Sequence, residues 1–400
     1  VTSGTQAMEV LKTKHFDLVI IMVGLDKKKP VEISRNIRQK YRKLPIYMMV
    51  NQKTDVKHFE ELIPTTSSID KLFVWDGNSQ VLFAIVKSIE DAANVENDTA
   101  IGLVRVILLI EDNTIYYSRY LQYLYSIVFG QVQQLLSEDE RNEINKIQKM
   151  RSRPKIIHAR NYEEAMFIYE KYKDFILCVI SDVEFDRNGT LDKEAGLRFI
   201  RHVKKQTGPF DLPIILQSAD VKNEMEAKKL GVSFFNKHSD QLFAELKNFL
   251  VSKLWFGNFV FRDKQGQPIA EARTLKEFQT ILEKVPERSL KMHAEENQFS
   301  LWLMSRGEIQ LAKTLNPIQV SDFDCVEDFR KKVLETIVTY KEDKRRGKIV
   351  DFDEISMIDE KNIVSLSGGS IGGKGRGLAF INALIYNLDK NGCYGNNLLP

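Results

Sequence analysis

Short apolar runs alternating with amphipathic stretches restrict this chain's fold more than any other feature. In the middle of the chain the runs fall at residues 104–110, 155–158, 175–181, 213–217 and 232–235. Helical patterns follow them: a long aromatic-rich stretch from Thr114, carrying Tyr116, Tyr117, Tyr120 and Tyr123, then 162–172, 195–205, 221–230 and 241–254. Such alternation argues for a parallel sheet with helices on both faces. Five strands and five helices in this order predict an α/β fold with a doubly wound sheet.

A less complete version occupies the first hundred residues. Helices are expected at 7–14, 33–41 and 81–92, with strands at 16–23, 45–50 and 72–75, and the polar stretch 94–99 reads as a linker. This copy matches the later part of the second, so the chain reads as tandem flavodoxin-like units, the first truncated. The charged stretch 138–153 reads as a helical extension or exposed insertion. Beyond 256 the texture changes to a short strand, a turn at 264–267 and helices over 274–282, 294–314 and 326–341. The basic run Lys344, Arg345, Arg346 and Lys348 reads as a solvated linker. A glycine-rich segment at 367–377 then leads into an apolar helix over 378–388. The expected domains are 1–96, 101–255, a mainly helical connector over 256–360, and the start of another domain over 361–400.

Composition narrows the function classes. Four hundred residues allow several domains, and 43% hydrophobic with 28% charged residues excludes wholesale disorder. A net charge of +3 is too balanced for a dedicated nucleic-acid binder. Cys178, Cys325 and Cys393 are too few and scattered for a disulfide framework or a zinc site. The run 104–110 is broken by Arg105 and ends in Glu111 and Asp112, far short of the roughly 20 apolar residues that span a bilayer. With no signal peptide at the start, a cytoplasmic chain without a membrane partner is expected. Starting at Val1, it reads as part of something longer.

In doubly wound sheets chemistry collects at the carboxyl ends of the strands. There the second unit places Glu111 and Asp112 after its first strand, Asp182 at the end of its third, Ser218 at its fourth and Lys237 at its fifth. Three clustered carboxylates coexist only with a hard cation or with raised pKa values, and Mg²⁺ is the natural cation. One carboxylate can then attack phosphorus, while the hydroxyl and ammonium bind the phosphoryl oxygens.

With this set, residues 102–254 resemble a response-regulator receiver domain. The resemblance implies Asp182 as phosphoacceptor, with Mg²⁺ held by Asp112, Asp182 and the backbone carbonyl of Glu184, and by Glu111 through water. It makes Ser218 the switch hydroxyl and Phe234 the aromatic that swings inward on phosphorylation. Two departures stand out. The acid pair and Asp182 lie further apart than usual, and His238 follows Lys237 where the family has proline. The alternative is a set of strand-end carboxylates that cap helices and face water. The first unit's 16–21 resembles the receiver's third strand. Its acceptor seat, however, is Met22, its switch position lies near Val50, and no lysine ends the strand at 72–75. It looks like a pseudo-receiver for packing, dimerisation or partner binding, its acid-pair strands expected upstream of Val1.

Other motifs match in part. Residues 185–191 resemble the haloacid-dehalogenase phosphatase signature, with Asn188 where that family has its general acid. Glu184, Asp186 and Asn188 precede Gly189 as in a calcium hand, but Ala195 replaces the required glutamate, so an Asx-glycine turn is expected. Residues 368–374 have Walker A spacing, with Gly375 where a hydroxyl should hold Mg²⁺. The segment from Ser370 to Phe380 resembles the start of the nucleotide-binding domain of phosphoenolpyruvate synthase and pyruvate phosphate dikinase, as 297–308 resembles a segment upstream of it. That resemblance implies an ATP-grasp-like domain in which Gly372, Gly373 and Lys374 meet ATP phosphates, ATP binding only in the complete parent.

The expected function is therefore a phosphorelay. A histidine kinase or phosphotransfer protein would phosphorylate Asp182 and so regulate downstream phosphotransferase domains of the same chain, with a homodimer possible. The alternatives are an unphosphorylated structural or dimerisation array, and a metal-dependent phosphohydrolase using Asp182 and Asp186.

Overall fold

The first hundred residues build helices and strands from the pattern just described. In the computed structural model, which describes residues 1–137, 150–206, 212–345, 349–351, 363–365 and 372–390, they form α1 (Gly4–Thr13), β1 (Val19–Met22), α2 (Lys28–Lys40), β2 (Ile46–Val50), α3 (Lys53–Thr66), β3 (Lys71–Val74) and α4 (Gln80–Ala100). The three strands pair in parallel in the order β1-β2-β3. Met48, Val50, Phe59 and Leu72 belong to one core cluster and Leu11, Ile21, Ile37 and Ile46 to a second.

Two readings change here. Helix α3 has no counterpart among the helices expected in the first hundred residues. Pro64 falls in its last turn, and Val56 and Phe59 anchor the rest in the core. The stretch 94–99, expected as a linker, continues α4. Val95 is buried and Asn94 Nδ2 donates to the Glu90 carbonyl, so packing overrides the polar composition.

The second sheet is complete. Its elements are β4 (Val106–Ile110), α5 (Thr114–Ser137), β5 (Lys155–Ala159), α6 (Tyr162–Tyr172), β6 (Ile176–Asp182), a hairpin of β7 (Phe185–Arg187) and β8 (Thr190–Asp192), α7 (Ala195–Gln206), β9 (Ile214–Ser218), α8 (Asn223–Leu230), β10 (Ser233–Asn236) and α9 (Leu242–Lys253). Five strands lie parallel in the order β10-β9-β6-β4-β5, consistent with the flavodoxin-like order. Every residue of central β4 is buried, as helices on both faces require. Asn113 caps α5 by accepting from Ile115 N and Tyr116 N, Asn161 caps α6 by accepting from Glu164 N, and Gly231 at φ 64° ends α8.

The chain divides into two compact units. One comprises Val1–Glu96, Val106–Ile127 and Lys155–Phe243, and so holds both parallel sheets. Side chains seal their edges. Along β3, Tyr117 donates its hydroxyl to the Leu72 carbonyl and Ser118 Oγ accepts from Val74 N at 3.1 Å. Along β5, the buried Asp91 of α4 accepts from Ile156 N and from Tyr125 OH, each at 2.9 Å. Edges that would otherwise recruit another strand are thus satisfied.

The other unit comprises Asn97–Arg105, Val128–Pro154 and Ala244–Pro400. It contains a hairpin of β11 (Phe259–Arg262) and β12 (Pro268–Ala272), then α10 (Leu275–Leu282), α11 (Glu287–Glu295), α12 (Gln298–Ser305), α13 (Ile309–Leu315) and α14 (Val326–Arg345). Phe259, Phe261, Phe278, Phe299 and Trp302 form its aromatic core. The helical stretch expected over 294–314 is broken at Asn297 and Gly307, whose positive φ angles of 54° and 75° no helix accepts. A parallel pair, β13 (Ile349–Asp351) and β14 (Ile363–Ser365), precedes α15 (Gly373–Lys390). Most of the charged stretch, 138–149, and the glycine-rich residues 366–371 lie outside the described residues. No described helix is long and apolar enough to cross a membrane.

Candidate functional site

Four neighbouring strands, β10, β9, β6 and β4, carry a cluster of charged side chains at their carboxyl ends. Lys237 follows β10, Ser218 ends β9, Asp182 ends β6, and Glu111 and Asp112 follow β4. Glu111, Asp112 and Asp182 offer carboxylate oxygens that all lie within 4.8 Å of one another, the one such acidic cluster among the described residues. Lys237 Nζ donates to Asp182 Oδ2 at 2.6 Å and to Glu111 Oε2 at 2.7 Å. Val183 N donates to Asp182 Oδ1 at 2.7 Å, fixing the second oxygen of that carboxylate.

Glu111 is fully buried and saturated. Its Oε1 accepts from Lys237 Nζ at 3.0 Å and Asn113 N at 3.2 Å, and its Oε2 accepts from Gln217 Nε2 at 2.8 Å. The Glu111 carbonyl lies 2.7 Å from His158 Nε2. Ser218 Oγ accepts from Asp220 N at 3.1 Å and Asn223 Nδ2 at 2.9 Å. Tyr116 covers Lys237, its ring centroid 4.6 Å from Nζ, and its hydroxyl lies 3.5 Å from His238 Nδ1.

One ammonium faces three carboxylates, and the protonation states reflect it. Burial pushes Glu111 up to about 8 in spite of Lys237, and burial followed by repulsion from Asp182 pushes Asp112 up to about 6. Burial also raises Asp182 against the pull of Lys237. Burial opposes the charge on Lys237, but Glu111 and Asp182 together hold it above its ordinary value. Clustered hard oxygens whose charge is under-compensated suit a small divalent cation such as Mg²⁺.

Glu184 is exposed two residues after Asp182, and its charge raises Asp182 further. Phe234 is half-buried and packs on the core of the five-stranded sheet. Asp186 lies in β7, where it bridges Asn161 and not the acid cluster. The loop of near-matching motifs is a hairpin turning at Asn188 and Gly189, with φ of 54° and 77°, the arrangement a two-residue turn requires. In the first sheet, the seat corresponding to the acceptor is the exposed Met22, and Val50 is wholly buried. At the other end of the chain Gly372, Gly373 and Lys374 lie exposed at the start of α15.

Sequence reasoning missed Gln217, Tyr116, His158 and Gly196. Gln217 had a signal, a polar residue inside the apolar run Ile214-Ile215-Leu216. Gly196 had a weaker one, a glycine inside an amphipathic helical pattern. His158 and Tyr116 carried none, since their roles depend on which strand and helix face lie beside Glu111 and Lys237.

The chain matches no protein-family model, and no curated protein matches it. It is similar to a solved structure of a probable two-component system response regulator/GGDEF domain protein at 13% identity. That match covers 62% of this chain and 83% of the other, with a TM-score of 0.23. A likeness so distant carries no functional argument.

Proposed function

We propose that the five-stranded domain is a receiver whose Asp182 accepts a phosphoryl group from a phosphohistidine donor. The observation that carries this reading is the Lys237 ammonium bridging Asp182 and Glu111, inside a cluster of three carboxylates at four strand ends. An Asp182 oxygen attacks phosphorus, a P–O bond forms, and the P–N bond of the donor breaks as its imidazole takes the electron pair and a proton. Asp112, Asp182 and the Glu184 carbonyl would hold Mg²⁺, with Glu111 behind them. The cation supplies neutralisation of charge building on the phosphoryl oxygens. Lys237 binds one of those oxygens after leaving Asp182, and Ser218, now an acceptor, donates to another. Phe234 and β10 then carry the change outward.

The three-stranded sheet has no acid cluster among its described residues and serves as a pseudo-receiver, docked through the sealed edges. Sequence resemblance alone supports the further reading that the receiver regulates an ATP-dependent phosphotransferase, similar to phosphoenolpyruvate synthase, in which Lys374 meets phosphate.

The test is incubation with Mg²⁺ and acetyl phosphate, or with beryllofluoride, followed by intact mass measurement. One acyl phosphate should form in the native chain and none in Asp182→Asn or in the presence of EDTA. Continuous release of inorganic phosphate through Asp186 would favour a hydrolase, and the absence of any adduct would leave a structural array.

A further inference from the structure

Strand β9 is buried throughout and reads Ile214-Ile-Leu-Gln-Ser218. An amide buried in such a strand carries an unrecovered desolvation cost for each polar atom left without a partner. Gln217 is fully buried, and its Oε1 has no hydrogen-bond partner among the described residues. Register sets it beside Asp182 on one side and Phe235 on the other. Among the described residues the side chain makes one hydrogen bond, the 2.8 Å donation from Nε2 to Glu111 Oε2. A leucine or methionine would fill the position without that cost, so what distinguishes glutamine there is this one donor.

The donors around Glu111 are not equivalent. Lys237 is shared with Asp182, whereas Gln217 and the Asn113 amide serve Glu111 alone. When Lys237 turns to an incoming phosphoryl oxygen, Glu111 loses its only cationic partner among the described residues and remains buried. We propose that Gln217 is a positioning residue, which keeps the Glu111 carboxylate aimed at the cation site while Lys237 passes from Glu111 to the phosphoryl group. This rests on the receiver reading of Asp182 and adds to it the residue that sets the cation affinity of the pocket. The exchange breaks and forms only hydrogen bonds.

Gln217→Met is the decisive variant, nearly isosteric and without the donor. Groups that orient metal ligands typically change affinity by about 10–100-fold when removed. Mg²⁺ titration of the protein alone, followed by calorimetry, should show a Kd about tenfold weaker or more, with the melting temperature unchanged or raised. Beryllofluoride should then occupy Asp182 only at correspondingly higher Mg²⁺. A purely structural glutamine gives the opposite result, a lowered melting temperature with an unchanged Mg²⁺ Kd, and that outcome overturns the proposal. Gln217→Leu is the second variant should the methionine protein not fold, and failure of both to fold would also overturn it. If the native chain forms no Asp182-dependent adduct, the receiver reading itself fails, whereas an unaltered Kd in a folded variant removes only the role of Gln217.

Discussion

Gly196 lies against the backbone of the candidate acceptor. A Cβ built there would fall 1.9 Å from the Asp182 carbonyl oxygen, while Gly196 N donates to the Val183 carbonyl at 2.9 Å. The first turn of α7 therefore presses on the strand end that presents Asp182, and only glycine permits it. Gly196→Ala should destabilise the domain by about 1–3 kcal/mol in urea unfolding, as overpacking does. It should also slow acyl-phosphate formation, because the shift acts on the acceptor's own peptide. The acids next to it predict a pH dependence. Asp112 and Glu111 titrate at about 6 and about 8, above the ordinary 3.8 and 4.5, so the metal-free native state holds protons that the unfolded chain has released. This contribution is complete below those ordinary values and is lost as pH rises through the folded ones. The urea midpoint of metal-free protein should fall between about pH 5 and 8, and Glu111→Gln should flatten that slope.

Between elements, the important contacts are the side chains that close sheet edges. Asp91 is wholly buried, 2.9 Å from both Ile156 N and Tyr125 OH and 3.9 Å from Lys155 Nζ. Removing it strands a buried amide and weakens a buried ion pair, so Asp91→Ala should cost about 3 kcal/mol or more in chemical denaturation. A loss below 1 kcal/mol would show that solvent replaces it. Such contacts were not legible in the sequence, since Asp91 lies on a helix 65 residues before its backbone partner. The strands and helices of the five-stranded domain were legible, because apolar runs and capped amphipathic helices are local patterns. Helix α3 and the continuation of α4 were not, because Phe59 and Val95 are held by packing that local propensity does not register. The hairpin at Asn188 and Gly189 was legible as a turn, though not as two short strands.

At the scale of the molecule, one unit carries two parallel sheets of which only the five-stranded one has the acid pocket. The contact of His158 with Glu111 continues to Tyr117, whose ring lies 4.7 Å from His158 and 5.2 Å from Lys71 Nζ of the three-stranded sheet. Burial, with repulsion from Arg160, lowers Lys71 to about 7, and burial keeps His158 well below its usual range. The sequence by itself determined the α/β class, the alternation of strands and helices along the chain and the identity of the groups at the strand ends, because side-chain period and end residues are local properties. Only the tertiary structure decided that Glu111 is sealed between Lys237 and Gln217, that Gly196 presses on Asp182, and that α4 and α5 close the edges of both sheets. Those depend on contacts between residues far apart in the chain, where distance in space, and not spacing in sequence, sets the energy.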